Sequence, residues 1–140
     1  SVGRGSGDSD CVVLRAVNGA LLEDLKVESC RGSGIRVGSG GQSVVLRRVE
    51  VFDHQRDGIV FEPAVQGSRI DVATLRNNGG AGVSLEPGSS DNELFYCLVR
   101  DNAGAGFQIL GSSGNLLRNN DRQRGNQGPK QTDSGNNPRT

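Results

Sequence analysis

The sequence predicts an all-β chain wound as a single-stranded parallel solenoid of about five coils of 24 residues. Three observations predict it. Gly34, Gly58, Gly82 and Gly106 recur every 24 residues, and each introduces an apolar–x–apolar triplet: Ile35-Arg36-Val37, Ile59-Val60-Phe61, Val83-Ser84-Leu85 and Phe107-Gln108-Ile109. Three further columns keep the same interval: Leu22, Leu46, Ile70, Leu94; then Leu25, Val49, Ala73, Cys97; then Val27, Val51, Leu75, Val99. Between the columns lie Gly, Asn, Asp and Ser, the residues that form turns.

Each element follows from this pattern. The first triplet is Cys11-Val12-Val13, one interval of 24 before Ile35-Arg36-Val37. Within a unit the apolar residues alternate over three-residue stretches, which is the period of a strand and not of a helix. A strand that short is not stable alone. It becomes stable when the next unit lays an equivalent strand beside it, in parallel and in register, at a rise of ~4.8 Å. The apolar columns then face inward and stack on one another. The segments before the recurring glycines, such as Asp53-His54-Gln55-Arg56-Asp57 and Asp101-Asn102-Ala103-Gly104-Ala105, read as turns. Asn and Asp tolerate left-handed backbone and bond nearby amides, and stacked Asn side chains can ladder between coils. The recurring glycine is expected to take a positive φ or to let the chain turn tightly into the strand.

The ends read differently. Leu116-Leu117 open a last coil one residue early, because Ser113-Gly114-Asn115 follows Ser90-Asp91-Asn92 at 23 residues. No apolar residue follows Leu117, and residues 118–140 carry five basic and two acidic side chains. The expected division is a solenoid over 1–117 and a polar tail or loose cap over 118–140. Ser1 to Asp10 is rich in Gly and Ser and offers no amphipathic cap. Two open solenoid edges are a route to self-association.

Composition narrows the function. Sixteen basic residues balance sixteen acidic ones, so the surplus of positive charge expected of a nucleic-acid binder is missing. No run of eighteen apolar residues marks a membrane span. The cysteines, Cys11, Cys30 and Cys97, are odd in number and lack CxxC spacing. They read as three small buried thiols rather than a disulfide framework or a zinc site, with a Cys11–Cys30 bridge the one pairing left open. A chain that starts at Ser1 and has no methionine is expected to be processed or a fragment. Gly5-Ser6-Gly7-Asp8-Ser9-Asp10 has the look of a calcium-binding glycine–aspartate nonapeptide, but it occurs once and out of register. The glycine-rich stretches do not open a helix, so no dinucleotide fingerprint is present.

The string Ser90-Asp91-Asn92-Glu93-Leu94 … Asp101-Asn102-Ala103-Gly104-Ala105-Gly106-Phe107-Gln108-Ile109, continued by Gly111-Ser112-Ser113-Gly114-Asn115-Leu116-Leu117-Arg118-Asn119-Asn120, resembles the right-handed parallel β-helix repeat of pectate-lyase-like and carbohydrate-binding β-helix proteins. The resemblance covers residues 9 to 120. It speaks for the fold and not for an activity. Right-handedness comes from the resemblance and from the usual crossover preference. The resemblance implies that enzymes of the pectate-lyase type set acidic calcium ligands and a basic catalytic residue on the face of one strand column. Here that outward column is Arg36, Val60, Ser84 and Gln108, with one arginine and no carboxylate.

Candidate sites follow from stacking. The residues after the triplets are Gly38, Glu62, Glu86 and Leu110. Glu62 and Glu86 are thus backbone neighbours at ~5 Å; the pair either holds Ca2+ or is two solvated turn residues. Ca2+ is the only cofactor suggested, and no dedicated metal site is expected. In the turn column Ser29, Asp53, Asn77, Asp101, the two aspartates lie two coils apart, roughly 10 Å. This is close to the ~6.5–9.5 Å between the carboxyls of inverting glycosidases. His54 is the sole histidine. With Asp53 or Asp57 it is the candidate general base; otherwise it replaces an Asn in the turn ladder. Glu23, Arg47 and Asp71 read as an ion-pair ladder that fixes register. Phe95 and Tyr96 read either as an exposed aromatic pair, with Tyr96 a platform for a sugar ring, or as packed under a turn or under the tail. Binding candidates are therefore Arg36, Glu62, Glu86 and Tyr96; catalytic candidates are Asp53, His54, Asp57 and Asp101.

The expected function is a non-catalytic β-helix module, structural or binding an extended carbohydrate, outside the cytosol (extracellular or periplasmic). The alternative is a polysaccharide-active enzyme (lyase, glycoside hydrolase or epimerase) or a fragment of one. No column stacks the acidic cluster that calcium-assisted elimination or paired-carboxylate hydrolysis needs. The expected partner is a polysaccharide, with no nucleic acid and no membrane.

Overall fold

The computed structural model describes residues 10–15, 17–120, 123–128 and 131–133. Among these, every regular element is a strand, and all pairings are parallel. One sheet stacks three-residue strands in the order β1 (Val12–Leu14), β3 (Ile35–Val37), β5 (Ile59–Phe61), β7 (Val83–Leu85), β9 (Phe107–Ile109) and β12 (Gln131–Asp133). The other stacks β2 (Asn18–Glu28), β4 (Gln42–Phe52), β6 (Arg69–Arg76), β8 (Glu93–Arg100) and β10 (Leu116–Arg118), and β11 (Gln123–Arg124) also pairs with β8. Successive coils lie in register at 24 residues, as in Leu22↔Leu46, Leu46↔Ile70 and Ile70↔Leu94. The chain is a parallel β-solenoid.

The long strands are bent. Asp24, Arg48, Val72 and Tyr96 take φ of 55°, 50°, 59° and 53°. A left-handed residue breaks the alternation, so the inward positions step from 22 to 25 and then to 27. Each coil therefore has three arms around one core. Ile35, Leu46, Ile59, Phe61, Ile70, Leu75, Leu85, Leu94 and Phe107 are fully buried there. In the first coil Leu22 and Leu25 are only partly covered.

Three expectations change. The first triplet is Val12–Leu14, paired Val12↔Ile35 at a 23-residue step, one residue later than a strict repeat gives. Cys11 is drawn out of the strand by a disulfide to Cys30, with Cα atoms 5.7 Å apart, so the thiol reading holds for Cys97 alone. The recurring glycines do not take positive φ. A Cβ on Gly34 would strike Val51 and the Gly58 carbonyl, and one on Gly58 would lie 2.6 Å from the Gly82 carbonyl. Glycine is needed there for close approach between coils. The left-handed residues sit five positions earlier, at Ser29, Asp53, Asn77 and Asp101.

The step of 23 residues into the last coil is seen in Leu116↔Glu93. Beyond residue 117 the described segments go on stacking: Gln123–Arg124 on β8 and Gln131–Asp133 on β9. Gln131 and Asp133 stand opposite the core residues Phe107 and Ile109, so this coil puts polar residues at apolar register positions. Residues 1–9, which hold most of the glycine–aspartate string, lie outside the described residues.

Two polar ladders run inside the turns. In one, the amides of His54, Asn78 and Asn102 donate to the side-chain oxygens of Asn78, Asn102 and Asn126 at 3.3, 3.0 and 2.9 Å. In the other, Ser68 and Asn92 donate to Asn92 and Asn115 at 2.9 and 3.0 Å. On the outside, Arg47 reaches Glu23 at 3.4 Å and Asp71 at 3.8 Å, the ion-pair ladder the alternating charges predict.

Candidate functional site: the outer furrow of the short-strand sheet

The outward column of the short strands runs Arg36, Val60, Ser84, Gln108. An outward residue on a flat face would be wet, yet Val60 is 1% and Ser84 7% exposed. The face is a furrow. Its floor is this column, and its walls are the residues flanking each strand: Asp10 and Asp57 before, Glu62 and Glu86 after. Alternation puts Arg36 outward, and its guanidinium spans coils. Nε meets Asp10 Oδ2 at 2.7 Å, and Nη1 meets Glu62 Oε2 at 3.3 Å and Glu86 Oε1 at 3.9 Å. Burial disfavours the charged guanidinium, but the bond to Asp10 and the nearby Glu62 and Glu86 outweigh it and raise its pKa above the ordinary value.

The walls also fasten the coils. Asp10 Oδ1 accepts the Ser33 amide at 2.6 Å, and Asp57 Oδ1 accepts the Ala81 amide at 2.6 Å. Glu62 Oε1 accepts the Ser39 amide at 3.0 Å. Burial pushes the Asp57 carboxyl up in pKa, against the Ala81 amide and the nearby Arg36, which pull it down. The end of the furrow at Arg36 opens into a depression of about 390 Å³ lined by Val13, Arg15, Arg36, Gly38, Ser39 and Glu62. So four of the eight candidates, Arg36, Asp57, Glu62 and Glu86, share one face.

The other four are elsewhere. Asp53 and Asp101 are exposed left-handed turn residues with Asn77 between them. They line separate depressions, about 290 Å³ beside Arg31 and Gln55, and about 400 Å³ beside Asn77 and Gln127. His54 points inward and is 3% exposed. Its Nδ1 accepts the Cys30 amide at 3.1 Å, and its Nε2 lies 3.0 Å from the Val27 carbonyl. Asn78 and Asn102 make the same pair of bonds, taking the amide of the coil before and giving to Val51 O and Leu75 O. His54 is thus the histidine rung of the asparagine ladder. The bonding fixes the neutral tautomer with the proton on Nε2, and burial lowers the pKa. Neither nitrogen is left to take a proton from a ligand.

Tyr96 lies at a bend and is 58% exposed. Phe95 is not its exposed partner. It is 7% exposed, under the guanidinium groups of Arg69 at 4.4 Å and Arg118 at 5.4 Å. Cys97 is fully buried, and burial pushes its thiol to about 12. The sulfurs of Cys11 and Cys30 and a ring nitrogen of His54 lie within 4.8 Å of one another, but the sulfurs are joined and the ring is bonded to backbone.

What sequence reasoning missed was Asp10, the tightest partner of Arg36. The 23-residue step of the first coil brings it to the furrow wall, and a strict 24-residue repeat hides it.

No curated protein matches the sequence. Among solved structures, the fold is similar to the periplasmic alginate epimerase AlgG, with a TM-score of 0.73 and 18% identity over 78% of this chain. A mutant of the same epimerase matches with a TM-score of 0.72 at 18% identity. The chain spans 27% of the length of those structures. A family model described as "Right handed beta helix region" matches residues 5–138. That match takes in every coil described above, and the chain belongs to the right-handed β-helix family.

Proposed function

We propose that this chain is a non-catalytic β-helix module that binds an extended polysaccharide along the furrow of the short-strand sheet. The observation that carries the reading is the furrow itself. Charged and hydroxyl groups from successive coils, Arg36, Glu62, Ser84 and Glu86, line one straight track. A polymer of repeating polar units meets a charged or polar group at each of these coils, ~4.8 Å apart. The likeness to an enzyme named for alginate supports a polysaccharide partner. Against catalysis weigh the engaged ring of His54 and the dispersal of Asp53 and Asp101 from Asp57. The disulfide favours an oxidising compartment, and with the periplasmic neighbours it supports a place outside the cytosol.

One observation favours the rival enzymatic reading. Asp57, whose proton affinity burial raises against the opposing pull of the Ala81 amide and Arg36, has the properties of a general acid. A polysaccharide panel, scored for binding and for release of reducing or unsaturated ends with and without Ca2+, separates the two. Binding without turnover, weakened by Glu86→Gln, is the expected result. Product release that Asp57→Asn abolishes would make the chain an enzyme. Silence on every polymer together with a concentration-dependent mass would move the function to self-assembly through open edges.

A further inference from the structure

The furrow wall uses one bond twice, and the two copies are held by different means. The Ser33 amide donates to Asp10 Oδ1 and the Ala81 amide to Asp57 Oδ1, both at 2.6 Å. Asp57 lies two residues before β5, which pairs on both sides, with β3 and with β7. Asp10 lies two residues before β1, whose one pairing among the described residues is with β3. A strand of three residues with a partner on one side is a weak support. The coil it belongs to is only partly covered, at Val12, Leu14, Leu22 and Leu25. Yet Asp10 makes the shortest of the Arg36 ion pairs, 2.7 Å against 3.3 Å for Glu62 and 3.9 Å for Glu86. What fixes it is the next residue in the chain. Cys11 is joined to Cys30, with Cα atoms 5.7 Å apart. Cys30 is 1% exposed, and its amide donates to His54 Nδ1 at 3.1 Å. It is the fixed end, and the half-buried Cys11 hangs from it. The sulfur bridge does for Asp10 what stacking on both sides does for Asp57.

We propose that the Cys11–Cys30 disulfide is a redox latch on the furrow: closed, it places Asp10 against Ser33 and Arg36; open, it releases that wall. In closing, the two thiols form one S–S bond and pass two electrons and two protons to the disulfide of an exchange partner, which leaves as two thiols. Opening is the reverse, driven by a dithiol that attacks Cys11, the less buried sulfur, and sets Cys30 free. With Asp10 released, the ion pairs left to Arg36 are those to Glu62 and Glu86, on the later coils. The furrow is then complete only where the disulfide persists, in an oxidising compartment. That consequence rests on the furrow being a binding site; the placement of Asp10 and Arg36 by the disulfide does not.

The test is hydrogen exchange read by NMR on the whole chain, oxidised and after reduction with dithiothreitol. No polymer enters, so a furrow that binds nothing would refute the binding reading and leave the latch intact. On reduction, exchange at the Ser33 amide and at Arg36 Nε–H should quicken at least about tenfold, the size of one released charge-assisted hydrogen bond. The Ala81 amide, bonded in the same way to Asp57, should stay within about twofold. Asp10→Ala, with the disulfide intact, should quicken Ser33 and Arg36 as reduction does, and reducing that variant should add less than about twofold. Oxidised glutathione should restore the slow exchange of the unmutated chain. Unchanged exchange at Ser33 and Arg36 in the reduced chain would overturn the proposal. So would an equal rise at Ala81 or a loss of spectral dispersion in every coil, either of which would make the disulfide a staple of the whole fold. A further large rise at Arg36 on reducing Asp10→Ala would also overturn it, because the disulfide would then act by a route other than Asp10.

Discussion

Every coil turns through a left-handed residue at two comparable corners, and the two are built in opposite ways. At the ladder corner the residues are Ser29, Asp53, Asn77 and Asp101. The next position is Cys30, His54, Asn78 and Asn102, whose backbone amides all donate to the rung of the following coil. At the bend corner the left-handed residues are Asp24, Arg48, Val72 and Tyr96. Most of these are poor at that conformation, and Val72 and Tyr96 are exposed. The first corner is held by hydrogen bonds that need particular side chains. In the earlier coils the second is held by the core on either side of it, where Leu22 and Leu25 or Ile70 and Ala73 face inward and leave the middle residue no choice; a rung appears there only beside Tyr96, where Asn120 takes the Cys97 amide and gives to the Leu94 carbonyl. A corner set by packing leaves its side chain free to serve the surface. A corner set by a ladder does not, which is why His54 is a buried rung and Tyr96 stands exposed.

The sharpest way to break this contrast is to remove a rung. Asn102 accepts from the Asn78 amide and side chain and gives to the Leu75 carbonyl, all while buried. Asn102→Ala orphans these groups and should cost about 3–5 kcal/mol, since each unsatisfied buried polar group costs ~1–3 kcal/mol. Denaturant melts measure it. A loss under 1 kcal/mol would mean that packing, not the ladder, holds this corner too.

Next in size is the disulfide that anchors the ladder at its first rung. Cys11–Cys30 closes a loop with a sequence separation of 19, a constraint of about 3 kcal/mol on the unfolded chain. Reduction, or Cys11→Ser with Cys30→Ser, should lower stability by roughly that amount. Hydrogen exchange should rise first in β1 and β2, where Leu22 and Leu25 are already only partly covered. Uniform loosening of all coils would instead show that the first coil is not a separate unit.

His54 tests the same corner more gently. His54→Ala should cost about 2 kcal/mol, whereas His54→Asn, which restores the common rung, should cost less than half of that. The pH dependence has a definite sign. The folded state holds the ring neutral, with a pKa below its ordinary 6.5, so below that pH the unfolded chain binds the extra proton. This contribution is intact above pH 6.5 and is lost as pH falls toward the folded pKa. His54→Asn should remove that part of the acid destabilisation and leave the carboxylate part. An unchanged acid limb would mean that the ring titrates freely.

Legibility in the sequence tracks the same division. The short strands and the ladder corner were readable, because Gly, Asn and Asp recur there for backbone reasons. The bend was not, although it left a trace: inward columns three residues apart, at 22 and 25, cannot belong to one straight strand. The furrow was half readable. Arg36 lies in its triplet and Glu62 and Glu86 follow theirs, but Asp10 is hidden by the 23-residue step. The covering of Val60 and Ser84 depends on the depth of the walls, which residue columns do not give. The fate of His54 was undecidable from spacing, since a base and a rung both belong beside a turn aspartate.

The smallest effect expected, and the one that sharpens the contrast most, lies at Val72. A β-branched residue at φ 59° is strained, because its Cβ crowds the following carbonyl, at roughly 1–2 kcal/mol for an ordinary residue. Asparagine tolerates this conformation, and the Val72 side chain is 48% exposed, so little burial is lost. Val72→Asn should therefore stabilise the chain by about 0.5–1 kcal/mol. The same reasoning predicts no gain at Asn77, where the left-handed residue is already asparagine. Should Val72→Asn destabilise, the exposed Val72 would be making contacts that the bend depends on, and the two corners would differ less than their residues suggest. Should it stabilise, strain kept at this exposed corner would mark the Val72–Tyr96 edge as a surface retained for contact rather than for folding.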